Sequence, residues 1–130
     1  MTKKELSKLY YLNRDIEREK QQLEELRARG TSTTAKVTGL PHVSGVSDKV
    51  GDYAIEIADL EKLIEIHTAQ SIREYKRLNL YIQGIDDPQM RLILSLRHVQ
   101  GYSWTRVAME IGGGNTADSV RMAHDRFLEK

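Results

Sequence analysis

The stretch Ser103-Trp104-Thr105-Arg106-Val107-Ala108-Met109-Glu110-Ile111-Gly112-Gly113-Gly114-Asn115-Thr116 decides the fold. Ser103 is a residue type that caps a helix by accepting an orphan backbone N–H. Behind it, Trp104, Val107, Ala108 and Ile111 recur at helical spacing and define one inward face. Three glycines then stop the helix, and Gly112 supplies the positive φ that a helix end requires. Asn115 or Thr116 caps the next helix, expected over 116–129, with Val120, Ala123, Phe127 and Leu128 inward. Ala108 is small, so that helix can cross close above it.

Upstream, Gly84-Ile85-Asp86-Asp87-Pro88 is a break. Asp86 or Asp87 can cap a helix whose first turn accommodates Pro88. That helix is expected over Pro88–Val99, with Met90, Leu92, Ile93, Leu96 and Val99 apolar, and ends at Gln100-Gly101-Tyr102. A supporting helix followed by two short helices joined through a glycine turn is a helix-turn-helix pattern, which assigns 84–130 to one tri-helical module.

The remaining 1–83 has a different texture. Residues 2–29 lack Gly and Pro, and Leu9, Leu12, Ile16, Leu23 and Leu26 form a heptad-like stripe broken only by Glu19. Gly30 is expected to cap this helix at its C-terminus, and the Gly, Ser, Thr and Pro of 30–46 are expected to form a loop. Ser47 or Asp48 then starts a second helix reaching about Ile82. Its stripe is Ile57, Leu60, Ile64, Thr68, Ile72, Tyr75, Leu78 and Ile82. The expected fold is all-α: a long antiparallel, coiled-coil-like hairpin followed by the tri-helical module. One such hairpin leaves apolar surface to cover. Leu9, Leu12, Ile16, Leu23, Leu26, Ile57, Leu60, Ile64, Ile72 and Tyr75 are therefore the candidate face for dimerisation or for a partner.

Composition narrows the function. With no Cys among 130 residues there is no disulfide scaffold, thiolate metal site or cysteine nucleophile. No apolar run approaches the ~20 residues of a membrane helix, and the N-terminus leads into an amphipathic helix rather than a secretory segment. The expected location is the cytoplasm, with no membrane partner. His42, His67, His98 and His124 show no paired metal-ligand spacing and are assigned to the surface or to helix ends. Glu17, Glu19, Glu24 and Glu25 are taken as a solvated helix face. The glycine triplet is not followed by Gly-Lys-Ser/Thr and is no phosphate loop. Ser44 and Ser47 lack a strand-turn-helix setting. No cofactor, metal, small-molecule substrate or enzymatic activity is expected.

The tri-helical stretch resembles the region that reads the −35 element in bacterial sigma factors. The likeness lies in Asp87-Pro88, in Leu96-Arg97-His98 before Gly101, in Ser103-Trp104 with Val107-Ala108, and in the 116–128 helix. The order of parts along nearly the whole chain resembles sigma-like late-transcription regulators of the RinA/ArpU type from Gram-positive phages. That order is a charged first helix, Thr31-Ser32-Thr33-Thr34-Ala35-Lys36-Val37-Thr38-Gly39-Leu40-Pro41, Val46-Ser47-Asp48-Lys49-Val50, and the C-terminal module.

The resemblance implies a DNA-binding regulator of phage or prophage origin, acting in a bacterial host cell, whose 116–129 helix enters the major groove of double-stranded DNA. It places Ala117, Asp118, Arg121 and Met122 toward bases, with Thr116, Ser119 and Asp125 beside them. Arg121 alone suits a bidentate guanine contact, while Asp118 can accept from a cytosine amine. Ser103, Thr105, Arg106, Asn115 and Arg126 are the candidate phosphate contacts. Residues 88–130 carry 6 basic and 4 acidic groups, only +2. Phosphate neutralisation carries most affinity, so one copy should bind weakly and need a homodimer or a second partner such as RNA polymerase. Two alternatives stand beside this: an adaptor that binds a host or phage protein through the hairpin, and a small phage DNA-packaging subunit.

Overall fold

A computed structural model describes the backbone of residues 1–37 and 44–130 and the side chains of 1–30 and 51–130. Among the described residues the fold is all-α. The helices are α1 (Lys3–Val37), α2 (Ser44–Gln83), α3 (Pro88–Leu94), a π-helical turn (Ser95–Val99), α4 (Trp104–Ile111) and α5 (Ala117–Glu129). No helix among the described residues is long and apolar enough to cross a membrane.

Local chemistry accounts for the helix starts. Thr2 and Glu5 form a reciprocal capping box at α1: the Thr2 hydroxyl accepts from Glu5 N–H, and the Glu5 carboxylate accepts from Thr2 N–H. The Asp87 carboxylate accepts from Gln89 N–H ahead of Pro88. The Ser103 hydroxyl accepts from Arg106 N–H. Thr116 and Ser119 cap α5 reciprocally, so Thr116 rather than Asn115 is the cap. Asn115 instead donates from its side chain to the Gly112 carbonyl and closes the turn at 2.8 Å.

Three expectations about the long helices change. Gly30 does not end α1, which continues to Val37. No proline falls before Pro41, and a Cβ on Gly30 would lie 3.8 Å from that of Tyr53, so the glycine sits inside a helix packed on α2. A helix-interior glycine costs ~1 kcal/mol relative to Ala, which tertiary packing can override. Second, α2 begins at Ser44, so Ser47 and Asp48 lie inside it. Third, the expected loop 30–46 is shortened from both sides; its centre, 38–43, lies outside the described residues.

The chain forms two compact units. One comprises Met1–Leu12 with Gln70–Lys130, the other Asn13–Ala69. In the first, the start of α1 pairs antiparallel with the end of α2: Lys8 bridges to Glu74 at 3.2 Å and Glu5 to Arg77 at 3.9 Å. Leu6, Leu9, Leu78, Ile82 and Ile85 from these ends share one core with Met90, Ile93, Leu94, Val107, Ala108 and Val120. Gly101 fits here for two reasons. Its φ is +74°, and a Cβ would come within 3.4 Å of the Tyr10 ring. The π-helical turn just before it places Gln100 N–H on the Ser95 carbonyl at 3.0 Å.

In the second unit the same antiparallel sense appears in Arg27–Glu61 at 2.9 Å and Glu19–His67 at 2.5 Å. Ile16 and Leu23 are buried there, and Glu19 is buried between them. The assignment of Glu19 to a solvated face is therefore wrong: spacing 16, 19, 23 puts it on the packed face. His67 likewise faces α1 in place of the expected Thr68. Two turns later, within the first unit, the pattern repeats. Glu74 is half-buried, while Ile72 and Tyr75 are exposed.

Candidate nucleic-acid interface

α5 is anchored along one side and open along the other. Val120 and His124 are buried, and Ala123, Phe127 and Leu128 pack partly against the core. Helical geometry then turns Asp118, Ser119, Arg121, Met122 and Arg126 outward, and all five are exposed. Met122 keeps 50% of its surface accessible, high for a methionine on a helix whose other face is core. Arg121 and Asp118 pair at 3.3 Å, i to i+3. Both are well exposed, so the pair contributes little stability, yet it holds the guanidinium fork alongside the helix surface.

The turn ahead of α5 is fixed tightly. Gly112, Gly113 and Gly114 all have positive φ, between +65° and +76°, and Gly112 N–H closes α4 on the Ala108 carbonyl at 3.0 Å. Three consecutive left-handed residues reverse the chain within a few ångströms. α4 and α5 therefore pack directly on each other, and Ala108 is buried at that crossing.

The other candidate residues divide by what holds them. Ser103, Thr116 and Ser119 spend hydroxyl capacity on caps, and Asn115 spends its amide on the turn. Arg106 is exposed and lies over the Tyr102 ring at 3.7 Å, a cation–π seat that keeps the guanidinium outside. Thr105 is exposed and Ala117 is half-buried. Asp125 is half-buried and engaged, bonded to His124 Nδ1 at 3.0 Å and to Lys3 of α1 at 3.0 Å. Its carboxyl is held below the usual carboxylate range, first by the His124 hydrogen bond and then by Lys3.

Of the candidate partner face, Leu9, Ile16 and Leu23 are buried within the chain itself. Leu12, Leu26, Ile57, Leu60 and Ile64 are half-buried, while Ile72 and Tyr75 remain exposed.

Two of the histidines assigned to the surface or to helix ends are buried. His98 is 7% exposed and His124 2%, and their Nε2 atoms lie 2.9 Å apart. His98 is pushed down to about 4, first by burial and then by His124 and Arg97. Burial is also the main cause that lowers His124, against the raising effect of Asp125. Periodicity carries the signal for both: His98 follows Leu94 by four residues and His124 follows Val120 by four, so each falls on an inner face. Trp104 completes the cluster, its ring edge-on to His124 with centroids 4.8 Å apart and the Arg97 guanidinium 4.5 Å from its centroid. His42 lies outside the described residues. Among the described residues no group of three or more His, Asp or Glu is placed to hold a metal ion.

Comparison with family models, with curated proteins and with solved structures returned no match.

Proposed function

We propose that the chain is a sequence-specific DNA-binding regulator of phage or prophage transcription, acting in the cytoplasm of a bacterial host, with α4 and α5 as its helix-turn-helix and α5 as the element that enters the major groove. The observation that carries this reading is the outward face of α5. Asp118, Arg121 and Met122 stand exposed on a helix whose opposite face is locked into a core. A groove-reading helix needs that combination, because side chains must reach base edges from a backbone that does not move. Arg121 is assigned to a guanine, Asp118 to a cytosine amine and Met122 to an apolar contact with a thymine methyl. Arg106, Thr105 and Arg126 are assigned to phosphates.

The module carries few cations, so affinity per subunit is low. A second copy of the chain supplies the second contact, with α1 and α2 providing the helical surface and the exposed Ile72 and Tyr75 forming part of it. The test is selection of full-length protein against random duplexes, followed by anisotropy titration at two salt concentrations. An Arg121→Ala variant is expected to lose about 5- to 150-fold on the selected site, about 1–3 kcal/mol, and much less on unrelated DNA. Equal loss on all sequences reduces Arg121 to a phosphate contact. Failure of the full chain to retain any DNA overturns the reading in favour of a protein adaptor. A ring-sized mass in light scattering with DNA retained favours a packaging subunit.

A further inference from the structure

Four elements meet around the buried histidine pair. His98 comes from the π-helical turn, Trp104 from α4, His124 and Asp125 from α5, and Lys3 from the first turn of α1. The hydrogen bonds run in one direction. Asp125 is ionised and only accepts, so His124 donates from Nδ1 across 3.0 Å. That leaves His124 Nε2 as an acceptor, and His98 must donate to it from Nε2 across 2.9 Å. A proton added to His98 lands on Nδ1 and puts a charge in a buried site beside Arg97, whereas a proton added to His124 lands on Nε2 and sets two N–H groups against each other at hydrogen-bond distance.

We propose that the His98–His124 pair is an acid-operated latch that holds the middle of α5 against the end of the α3 segment when neutral and releases it when protonated. The charged groups facing the pair favour release. Arg97 on the π-helical turn and Lys3 on α1 both oppose a proton there, and Asp125 alone favours one. Among the described residues, Asp125 beside His124 is the one acidic group that acts on the pair.

The sign follows from the direction of the shifts. His98 is lowered from 6.5 to about 4 by burial, His124 and Arg97. The latch is therefore intact above pH 6.5 and weakens as the pH falls toward 4, because the released state binds the proton more tightly. For His98 alone, a drop from pH 7 to pH 5 raises the release constant about 20-fold. His124 adds to this in the same direction.

The latch concerns how α5 is held and is tested without DNA, so it stands or falls separately from the groove-reading assignment. Amide hydrogen exchange of the full chain, corrected for intrinsic rate, is measured at pH 7 and pH 5 with α5 as the reporter. Protection in α5 is expected to fall about 20-fold or more, and a His98→Gln/His124→Gln double variant, whose amides can bond each other but not titrate, to lose most of that dependence. Asp125→Asn removes the carboxylate that raises His124, so the latched state accepts a proton less readily, and it is expected to move the transition to higher pH in a chain that still folds at neutral pH. Undiminished α5 protection at pH 5 overturns the latch. So does a double variant with the wild-type pH profile or, where that variant fails to fold, an unmoved transition in Asp125→Asn.

Discussion

Leu6 lies on the first turns of α1, yet it is 0% exposed and shares a core with α2, α3, α4 and α5 residues. Replacing it with Ala deletes three carbons. At ~0.8 kcal/mol per buried methylene the transfer loss is ~2.4 kcal/mol. A void of ~40–80 Å³ left in that core adds ~1–2 kcal/mol at ~24 cal/mol per Å³. The expected cost is about 3–4 kcal/mol, a large share of the stability of a domain this size. With a urea slope of ~2 kcal/mol per molar, the midpoint should fall by about 1.5–2 M. The assay is urea unfolding followed by helical circular dichroism and, separately, by Trp104 fluorescence. Both probes should shift together, because Trp104 packs on the same core. Leu80→Ala is the control: Leu80 is 73% exposed and should shift the midpoint by less than ~0.5 kcal/mol equivalent. A Leu6→Ala loss under ~1 kcal/mol, or a Trp104 transition that does not move, would refute the idea that the start of α1 is built into the core that carries α5.

Other outcomes follow from single sites. Gly112→Ala forces a Cβ onto φ +71° and should destabilise by about 1–2 kcal/mol despite open space around it, read as a lower thermal midpoint. Ser103→Ala removes the α4 cap and should cost about 1 kcal/mol in the same measurement. A Glu19→Leu/His67→Leu double variant replaces the buried pair, whose second carboxylate oxygen has no hydrogen-bond partner. It should leave stability unchanged or raised, whereas Glu19→Leu alone strands the imbalance on His67 and should gain less. Stability of the whole chain should decline from pH 6.5 toward pH 4, because the unfolded chain binds a proton there that the buried His98 does not, read by urea midpoints across that range.

Much of the C-terminal module is legible from side-chain chemistry because its signals are local. Ser103, Gly112 and Thr116 dictate backbone conformation by themselves, and α4 and α5 start and stop where they say. Most of the misses have one cause. Apolar spacing alone cannot tell a solvent-facing hydrophobe from a packed polar residue when the seam is mixed. On α2 the apolar run Ile64, Thr68, Ile72, Tyr75 suggests one face, but His67 and Glu74 occupy the packed side by pairing with Glu19 and Lys8. On α3 the same effect exposes Leu92 and buries Leu94. A buried histidine looks like a surface histidine until its partner is known, and His98 and His124 are 26 residues apart. Gly30 misleads for a different reason: a capping residue type was weighed without the opposing helix that holds it in line.

The most direct test of the DNA-reading account is an NMR titration of the isotope-labelled full chain with the selected duplex. The account predicts that the largest amide and side-chain shifts fall on Asp118, Arg121 and Met122, with smaller ones at Thr105, Arg106 and Arg126. Shifts confined to α2 around Ile72 and Tyr75, with α5 unmoved at saturating DNA, would contradict it.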